Sequence, residues 1–209
     1  MAEFNSYLLG KARKSVGNIT LCYTRGKNIA KAKVFSRKDN PTPEILAQRA
    51  RMKALVQLSR QLLPVIRKGF VGIGKGSAAN AFTSVNMSRV SVDERNVATV
   101  DFDRLLCASG MLYPTKVEVT YSEENKMYSF VQEMQDEENG YAFNDDMVYV
   151  MLYETVLGRA RLVTLRARGE NGNTTYALPE EWGHGHVKLY CFATLKNGKG
   201  ASDSQVMTL

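Results

Sequence analysis

The sequence MVYVMLYETVLGRARLVTLRAR, residues 147–168, decides the fold class of this chain. It contains two strand-like segments, residues 147–153 and 160–168. In this half of the chain apolar residues recur with a period of two, as they do in half-buried strands. Six further segments have the same character: residues 97–102, 116–121, 127–132, 174–178, 187–195 and 205–209. Seven or eight short strands at this spacing predict an antiparallel β-sandwich of immunoglobulin or fibronectin type over residues 96–209.

The first half of the chain, residues 1–95, has a different pattern. Ile19, Leu21 and Tyr23 occupy every second position of one predicted strand, and the sequence RGKN at residues 25–28 supplies a turn into a second strand, so we expect a β-hairpin. Apolar residues then recur at helical spacing in residues 45–66, which predicts a long helix. The predicted fold class is α+β and mostly β, with a hairpin-and-helix region before the sandwich.

Local signals fix the ends of the predicted helices. Thr42 suits the N-cap of the long helix, Pro43 its first position, and Glu44 opposes the positive end of the helix dipole. Pro64 should kink or end this helix, because proline cannot continue an α-helix without loss of a hydrogen bond. A shorter helix is expected over residues 77–87.

Charge is distributed unevenly between the two predicted regions. Residues 1–95 carry 18 Lys and Arg against 5 Asp and Glu, a net +13, whereas residues 96–209 carry 10 against 16, a net −6. We expect the basic region to contact a polyanion, or to contact the acidic half of another copy. Two solvated faces without a partner remain the alternative. The residues expected to make the contact are Lys11, Arg13, Lys14, Arg25, Lys27, Lys31, Lys33, Arg37 and Lys38.

Other features bear on the environment of the protein. No stretch approaches the roughly 18 apolar residues that a membrane helix needs, and the N-terminal order of acidic, apolar and basic residues does not fit a secretory signal. Cys22, Cys107 and Cys191 lie in apolar, strand-like contexts, which predicts buried free thiols. We expect a virion or bacterial cytoplasmic location.

Two sequence features invite a catalytic or metal-binding interpretation. The sequence VGIGKG at residues 71–76 lacks the spacing of a Walker A loop and follows a predicted helix, so a flexible connection is the preferred interpretation. His184 and His186 would share a face if both lay on a strand. No third ligand follows at recognisable spacing, whereas tetrahedral zinc needs three or four protein ligands.

Paired carboxylates are the remaining candidates for chemistry. Asp101 with Asp103, and Asp145 with Asp146, are close enough in sequence for acid–base work, but no partnered base, nucleophile or oxyanion donor accompanies them. We therefore expect no catalytic residues, no bound metal and no cofactor. A metal-dependent enzyme using the histidines or these carboxylates remains a third hypothesis, after an assembly protein and a nucleic-acid-binding module.

Several short motifs occur in the order of the predicted elements. They are Gly17-Asn18, Tyr23, Arg25-Gly26-Lys27, Asn40-Pro41-Thr42, Gln48-Arg49-Ala50-Arg51, Leu178-Pro179, Trp182, Tyr190-x-Phe192 and Ser202-x-Ser204. With these motifs the chain resembles an uncharacterised family of small proteins found in bacterial genomes and their phages. The resemblance covers most of the chain, implies a virion or prophage-type component, and supplies no catalytic residues.

The leading interpretation is a non-catalytic structural subunit of a phage tail, neck or capsid-associated ring. Such a subunit would self-associate, or dock on neighbouring structural subunits, through its basic N-terminal half. The second interpretation is a nucleic-acid-binding module that uses the same basic residues without sequence preference, so that binding would fall steeply as salt rises.

Overall fold

The computed structural model of the protein describes residues 1–36, 39–74, 76–135 and 140–209. They divide into two compact units, Met1–Thr42 and Pro43–Leu209, called the first and the second unit below. The fold is mixed α+β and mostly strand, with several antiparallel sheets, which confirms the predicted class at that level. Among the described residues, none of the helices combines the length and the hydrophobicity of a membrane-crossing segment.

The first unit is built on one four-stranded antiparallel sheet with the strand order β1-β4-β3-β2. Its two longest strands, β3 and β4, form a hairpin whose two-residue turn is Arg25-Gly26. Both turn residues have positive φ, 51° and 80°, the sign that a tight type I′ hairpin turn requires. The second strand therefore begins earlier than the sequence predicted. The bounds are β1 Ala2–Phe4, β2 Lys14–Val16, β3 Ile19–Thr24 and β4 Lys27–Ala32.

Three α-helices open the second unit: α1 Pro43–Gln61, α2 Leu63–Gly69 and α3 Ala78–Asn86. The first helix begins at the proline predicted for its first position and breaks at Leu62, shortly before Pro64. Ser77 caps α3, and its Oγ accepts a hydrogen bond of 3.3 Å from the backbone N–H of Asn80. A two-stranded sheet follows, made of β5 Val90–Val92 and β6 Ala98–Val100.

Seven strands complete the second unit in two antiparallel sheets. One sheet has the order β10-β9-β12-β13 and the other β11-β8-β7. The bounds are β7 Val117–Ser122, β8 Met127–Gln132, β9 Met147–Glu154, β10 Arg159–Ala167, β11 Gly172–Ala177, β12 Val187–Thr194 and β13 Gln205–Met207. These bounds lie close to the predicted segments, because apolar alternation is strong in this part of the sequence.

The central strand β9 is buried on both faces. Val150 and Leu152 pack in a core with Phe130 of the three-stranded sheet. The alternate side chains, Tyr149 and Met151, pack in a second core against the helices. The second unit therefore has three layers, helices, four-stranded sheet and three-stranded sheet, as expected when a sheet has two apolar faces.

The units differ from the regions expected at residues 1–95 and 96–209. Leu55 and Ile66 from the helices share one core with Tyr190 and Phe192 of β12. The buried part of the helical stripe therefore belongs to the same core as the four-stranded sheet, and the helices and strands β7 to β13 form one unit, while Ile45 and Met52 of the stripe are exposed. The hairpin sheet stands as a unit without the helices.

Candidate functional site

The whole net charge of the chain resides in the first unit. Residues 1–42 contain nine Lys and Arg and two Asp and Glu, a net +7, and residues 43–209 contain 19 of each. The net charges of the two units differ by 7, less than the difference of 19 between residues 1–95 and 96–209, because the net +6 of residues 43–95 offsets the net −6 of residues 96–209.

Seven of the nine predicted contact residues lie in the described part of the first unit, and all seven are exposed. Lys27 pairs with Glu3 of the neighbouring strand β1, Nζ to Oε1 at 3.0 Å, and both side chains face solvent. An exposed pair of this kind adds little to stability. The seven are Lys11, Arg13, Lys14, Arg25, Lys27, Lys31 and Lys33, while Arg37 and Lys38 lie outside the described residues.

The sheet of the first unit has a polar face and an apolar face. Lys31 lies opposite Thr20 on the polar face, while Leu21 and Ile19 face the other way. The apolar face is poorly covered: Ile19 is 50% exposed, and among the described residues of this unit Ala12 is the one hydrophobic side chain classed as buried. Since burial of apolar area is the main stabilising term, this sheet gains little from a core of its own.

Two lysines of the first unit lie over aromatic rings. Lys11 Nζ is 5.3 Å from the centroid of the Tyr23 ring, and Lys33 Nζ is 5.3 Å from the centroid of the Phe35 ring. Both distances suit a cation–π contact. Tyr23 is half-buried, whereas Phe35 is 72% exposed. Of these two rings, that of Phe35 is therefore the more exposed to solvent.

Three consecutive large apolar side chains, Tyr7, Leu8 and Leu9, are also exposed in the first unit. Ser6 holds their turn, because its Oγ accepts a hydrogen bond of 3.1 Å from the Leu9 N–H. These three residues are not among those predicted from the sequence to make a contact. In the sequence they form a short apolar run that has neither a strand period nor a helix period. Such a run fits neither a buried strand nor a buried helix, so it favours a contact surface.

A cavity of about 850 Å³ opens in the second unit among the connections between its elements. Met111, Tyr141 and Phe143 line it, and all three are exposed. Lys196 Nζ lies 3.7 Å from Asp145 Oδ2, and both residues belong to the lining. Large apolar side chains around a concave site are typical of binding surfaces. Sequence periodicity could not reveal this cavity, because four separate connections form it.

The two histidines make separate contacts. The His184 ring stacks on Tyr121 with ring centroids 4.0 Å apart, and its Nδ1 lies 3.2 Å from the hydroxyl of Tyr128. Burial raises the pKa of Tyr128 to about 12, so this hydroxyl keeps its proton at neutral pH. His186 is exposed, and its carbonyl accepts from Thr155. Within the described ranges, no cluster of three His, Cys, Asp or Glu could hold a metal ion.

The paired carboxylates are also engaged separately. Asp103 Oδ1 accepts a hydrogen bond of 2.7 Å from Lys188. Asp146 is buried, its Oδ2 lies 3.3 Å from Arg168 Nε, and burial raises the pKa of its carboxyl. Arg168 also donates through Nη2 to the carbonyl of Tyr113 at 2.6 Å, which ties the segment before β7 to the end of β10. Of these carboxylates, Asp146 therefore has a structural role, as the buried partner of Arg168.

The glycine-rich sequence at residues 71–76 joins α2 to α3. Gly72 and Gly74 have positive φ, 74° and 67°, so they allow the turn that separates the two helices. Lys75 lies outside the described residues. A phosphate loop of the Walker type follows a strand, and this connection follows a helix.

The closing motifs of the sequence are structural. Trp182 lies in the core between the two sheets, and Tyr190 and Phe192 lie in the core beneath the helices. The hydroxyls of Ser202 and Ser204 each accept a hydrogen bond of 2.9 Å from a buried backbone N–H. These residues build the second unit and present no reactive group.

Comparison of the chain with protein-family models, with curated proteins and with solved structures finds no match. The candidate surfaces are therefore defined by the chain's own charge and geometry. They are the basic sheet of the first unit with its exposed apolar residues, and the cavity of the second unit.

Proposed function

We propose that this chain is a non-catalytic structural subunit that associates through its first unit, Met1–Thr42, with copies of itself or with neighbouring structural subunits. The resemblance of its sequence motifs to phage-type proteins supports a virion location for such a subunit, in a tail, neck or capsid-associated ring. One observation carries the proposal: the unit that holds the whole net charge also leaves most of its apolar residues uncovered.

The physical reason is a difference between the two units. The second unit has two buried cores and no net charge, so a partner adds little to its stability. The lysines of the first unit attract an acidic partner over a distance. Its apolar sheet face is stabilised when a partner covers it. A partner that binds only the ordered unit stabilises it by mass action.

An immunoglobulin- or fibronectin-type sandwich fits this proposal. Of the seven strands β7 to β13, the third, fourth, sixth and seventh share one sheet. In the constant-type immunoglobulin order, the fourth strand joins the other sheet. We therefore propose the fibronectin-type arrangement for strands β7 to β13. The first unit would be an additional element that docks on a partner.

Light scattering on nuclease-treated protein, at low and at high salt, tests this function. We expect a discrete multimer at low salt whose mass falls at high salt, since charge contributes to the contact. A monomer at both salt concentrations, over the micromolar range, would overturn the proposal.

Nucleic-acid binding is the second candidate function, and the exposed Phe35 ring beside Lys33 favours it. An exposed aromatic ring can stack on a base while lysines contact the phosphates. Fluorescence anisotropy with a single-stranded oligonucleotide should show affinity falling roughly tenfold or more between low and physiological salt. Absent or salt-independent binding would remove this candidate. Phe35→Ala should weaken binding without changing the salt dependence.

A further inference from the structure

We propose that a groove between strands β7 and β13 of the second unit binds an extended segment of a partner subunit. The segment would run antiparallel to β7 and add a strand to its free edge, as in other cases of β-strand addition. This inference goes beyond the proposed function, because it concerns a second contact, made through the other unit of the chain.

Both strands that border the groove are edge strands. β7 ends the sheet order β11-β8-β7, and β13 ends the order β10-β9-β12-β13. A strand with one neighbour directs about half of its backbone N–H and C=O groups away from that neighbour. Among the described residues, the backbone of Val117–Ser122 has no strand partner except β8. The outer groups of β7 can therefore pair with an incoming strand.

The groove follows these edges over several residues. Its lining contains the consecutive residues 115–120 and 205–208, and its volume is about 430 Å³. Because side chains alternate between the two faces of a strand, consecutive lining residues indicate a groove that runs along the strand edge. A free extended segment can enter such a groove, whereas the β7 edge of a second copy would bring its own three-stranded sheet with it.

A buried hydroxyl at the groove lacks a hydrogen-bond partner. Thr115 is 2% exposed and belongs to the groove lining, and its Oγ1 makes no hydrogen bond to any described residue. Most buried side-chain polar atoms in native structures are hydrogen-bonded. An incoming strand carries N–H and C=O groups at regular intervals, so it can supply the missing partner. This observation is independent of the free edges and points to the same occupant.

The side chains at the groove define the chemistry of the segment. On the inner face, Val117, Val119 and Met207 are half-buried and pack against the core between the two sheets, so apolar side chains of the segment would extend that core. On the outer face, Lys116 and Glu118 are exposed. Opposite charges attract when they lie across from one another on adjacent strands. An antiparallel segment should therefore carry a basic residue and, two positions later, an acidic residue.

The probe is a synthetic, end-capped peptide of nine residues with valine at the odd positions. Threonine, lysine, glutamate and threonine occupy the even positions in that order. One control peptide exchanges the lysine and the glutamate, so that like charges would face Lys116 and Glu118. Two further controls carry N-methyl groups on the odd or on the even amides. One of these two loses every hydrogen bond that the peptide can donate to β7, while its side chains are unchanged.

Three variants of the chain test the groove from the other side. Thr115→Val removes the unpartnered hydroxyl and keeps the shape of the side chain. Glu118→Lys reverses a charge at the groove, and Glu180→Lys makes the same change at an exposed residue that is absent from the groove lining. None of the three removes a buried apolar side chain, so circular dichroism and thermal melting should show the native fold.

Fluorescence anisotropy of the labelled peptides with the whole chain measures the binding. We expect saturable binding of the first peptide, weaker binding of the charge-exchanged peptide, and no binding of at least one N-methylated peptide. Thr115→Val should weaken binding by about threefold to tenfold, as for the loss of one hydrogen bond. Glu118→Lys should weaken it more than Glu180→Lys does. Absent binding of the first peptide, or equal binding of the first and both N-methylated peptides, would overturn the proposal.

Hydrogen exchange followed by mass spectrometry locates the bound peptide. We expect the peptide to slow exchange in β7 and to leave exchange in β11 unchanged, since β11 is the other edge strand of the same sheet. Equal protection of both edges would show unspecific pairing and contradict the groove assignment. Protection of β7 without peptide that rises with protein concentration would identify a second copy as the occupant, against the proposal. Association through the first unit is measured separately by native mass, so these outcomes leave the proposed function intact.

Discussion

Tyr153 donates a hydrogen bond of 2.8 Å from its hydroxyl to Oε1 of Gln61. The contact joins the last turn of α1 to the central strand β9. Burial raises the pKa of Tyr153, so the hydroxyl remains a donor at all physiological pH values. Around this bond, helices and sheet share one core, and the helices therefore belong to the same folding unit as strands β7 to β13.

Two fragments of the chain should show that the helices and strands β7 to β13 fold as one unit. A fragment of residues 43–209 should melt cooperatively, because both of its cores are complete. A fragment of residues 96–209 should lack a cooperative melt, since removal of the helices exposes Tyr149, Met151 and Phe192 on the four-stranded sheet. Circular dichroism during thermal melting checks both fragments. A cooperative melt of the shorter fragment would show that the helices are dispensable.

Gly69 should be essential for the packing of α2. A Cβ at this position would lie 2.6 Å from the Cβ of Ala108 and 2.7 Å from backbone atoms, which cannot move away as a flexible side chain can. Gly69→Ala should lower the free energy of unfolding by about 1–3 kcal/mol. Gly185, with open space around it, is the control, and Gly185→Ala should stay within about 0.5 kcal/mol. Equal effects of the two changes in urea denaturation would argue against the close helix contact.

The cysteines should differ in reactivity. Burial raises the pKa of Cys107 and of Cys191 to about 12, so both are protonated and inaccessible at neutral pH, while Cys22 is half-buried. An aromatic disulfide reagent at pH 8 should label one thiol quickly in the native chain and three in denaturant. Rapid labelling of all three native thiols would contradict the buried assignments.

The same two thiols should make stability depend on alkaline pH. Between the ordinary thiol pKa of 9.0 and the folded value of about 12, the native state keeps protons that the unfolded chain releases. The free energy of unfolding should therefore fall as pH rises through this window. Cys191→Ala should make the fall shallower, even though the cavity it leaves lowers stability at every pH. An unchanged slope in denaturation at pH 8 to 11 would contradict this.

Reversing charge on the first unit should weaken assembly. Lys31→Glu combined with Lys33→Glu changes the net charge of the chain by four while altering only exposed side chains. We expect a lower native mass at physiological salt, because the attraction to an acidic partner is lost. Lys116→Glu with Lys126→Glu makes the same change of net charge on exposed lysines of the second unit. Sedimentation should show a smaller effect for this control; equal effects would mean that total charge, rather than the first unit, governs association.

Strands β7 to β13 could be predicted because their residues alternate strongly between apolar and polar. Met127–Gln132 agrees with the expected segment at both ends, and β9 differs by one residue. The short strands β1, β2 and β5 were missed, since three residues are too few to show a period. The helix break before Pro64 followed from proline geometry.

Other features depend on tertiary contacts that periodicity does not encode. The apolar stripe of α1 could pack on any apolar surface, and only the structure shows that its buried residues share a core with Tyr149 and Phe192. The cavity needs four connections brought together, and the charge of the first unit becomes clear only when its end at Thr42 is known. The basic residues, by contrast, could be identified from their density in the sequence.

The most direct test of the central claim compares the native mass of the whole chain with that of residues 43–209, both nuclease-treated and at low salt. We expect the whole chain to be a multimer and the fragment a folded monomer, because the first unit is proposed to make the contact. A fragment that assembles as the whole chain does, or a whole chain that is monomeric, would contradict the claim.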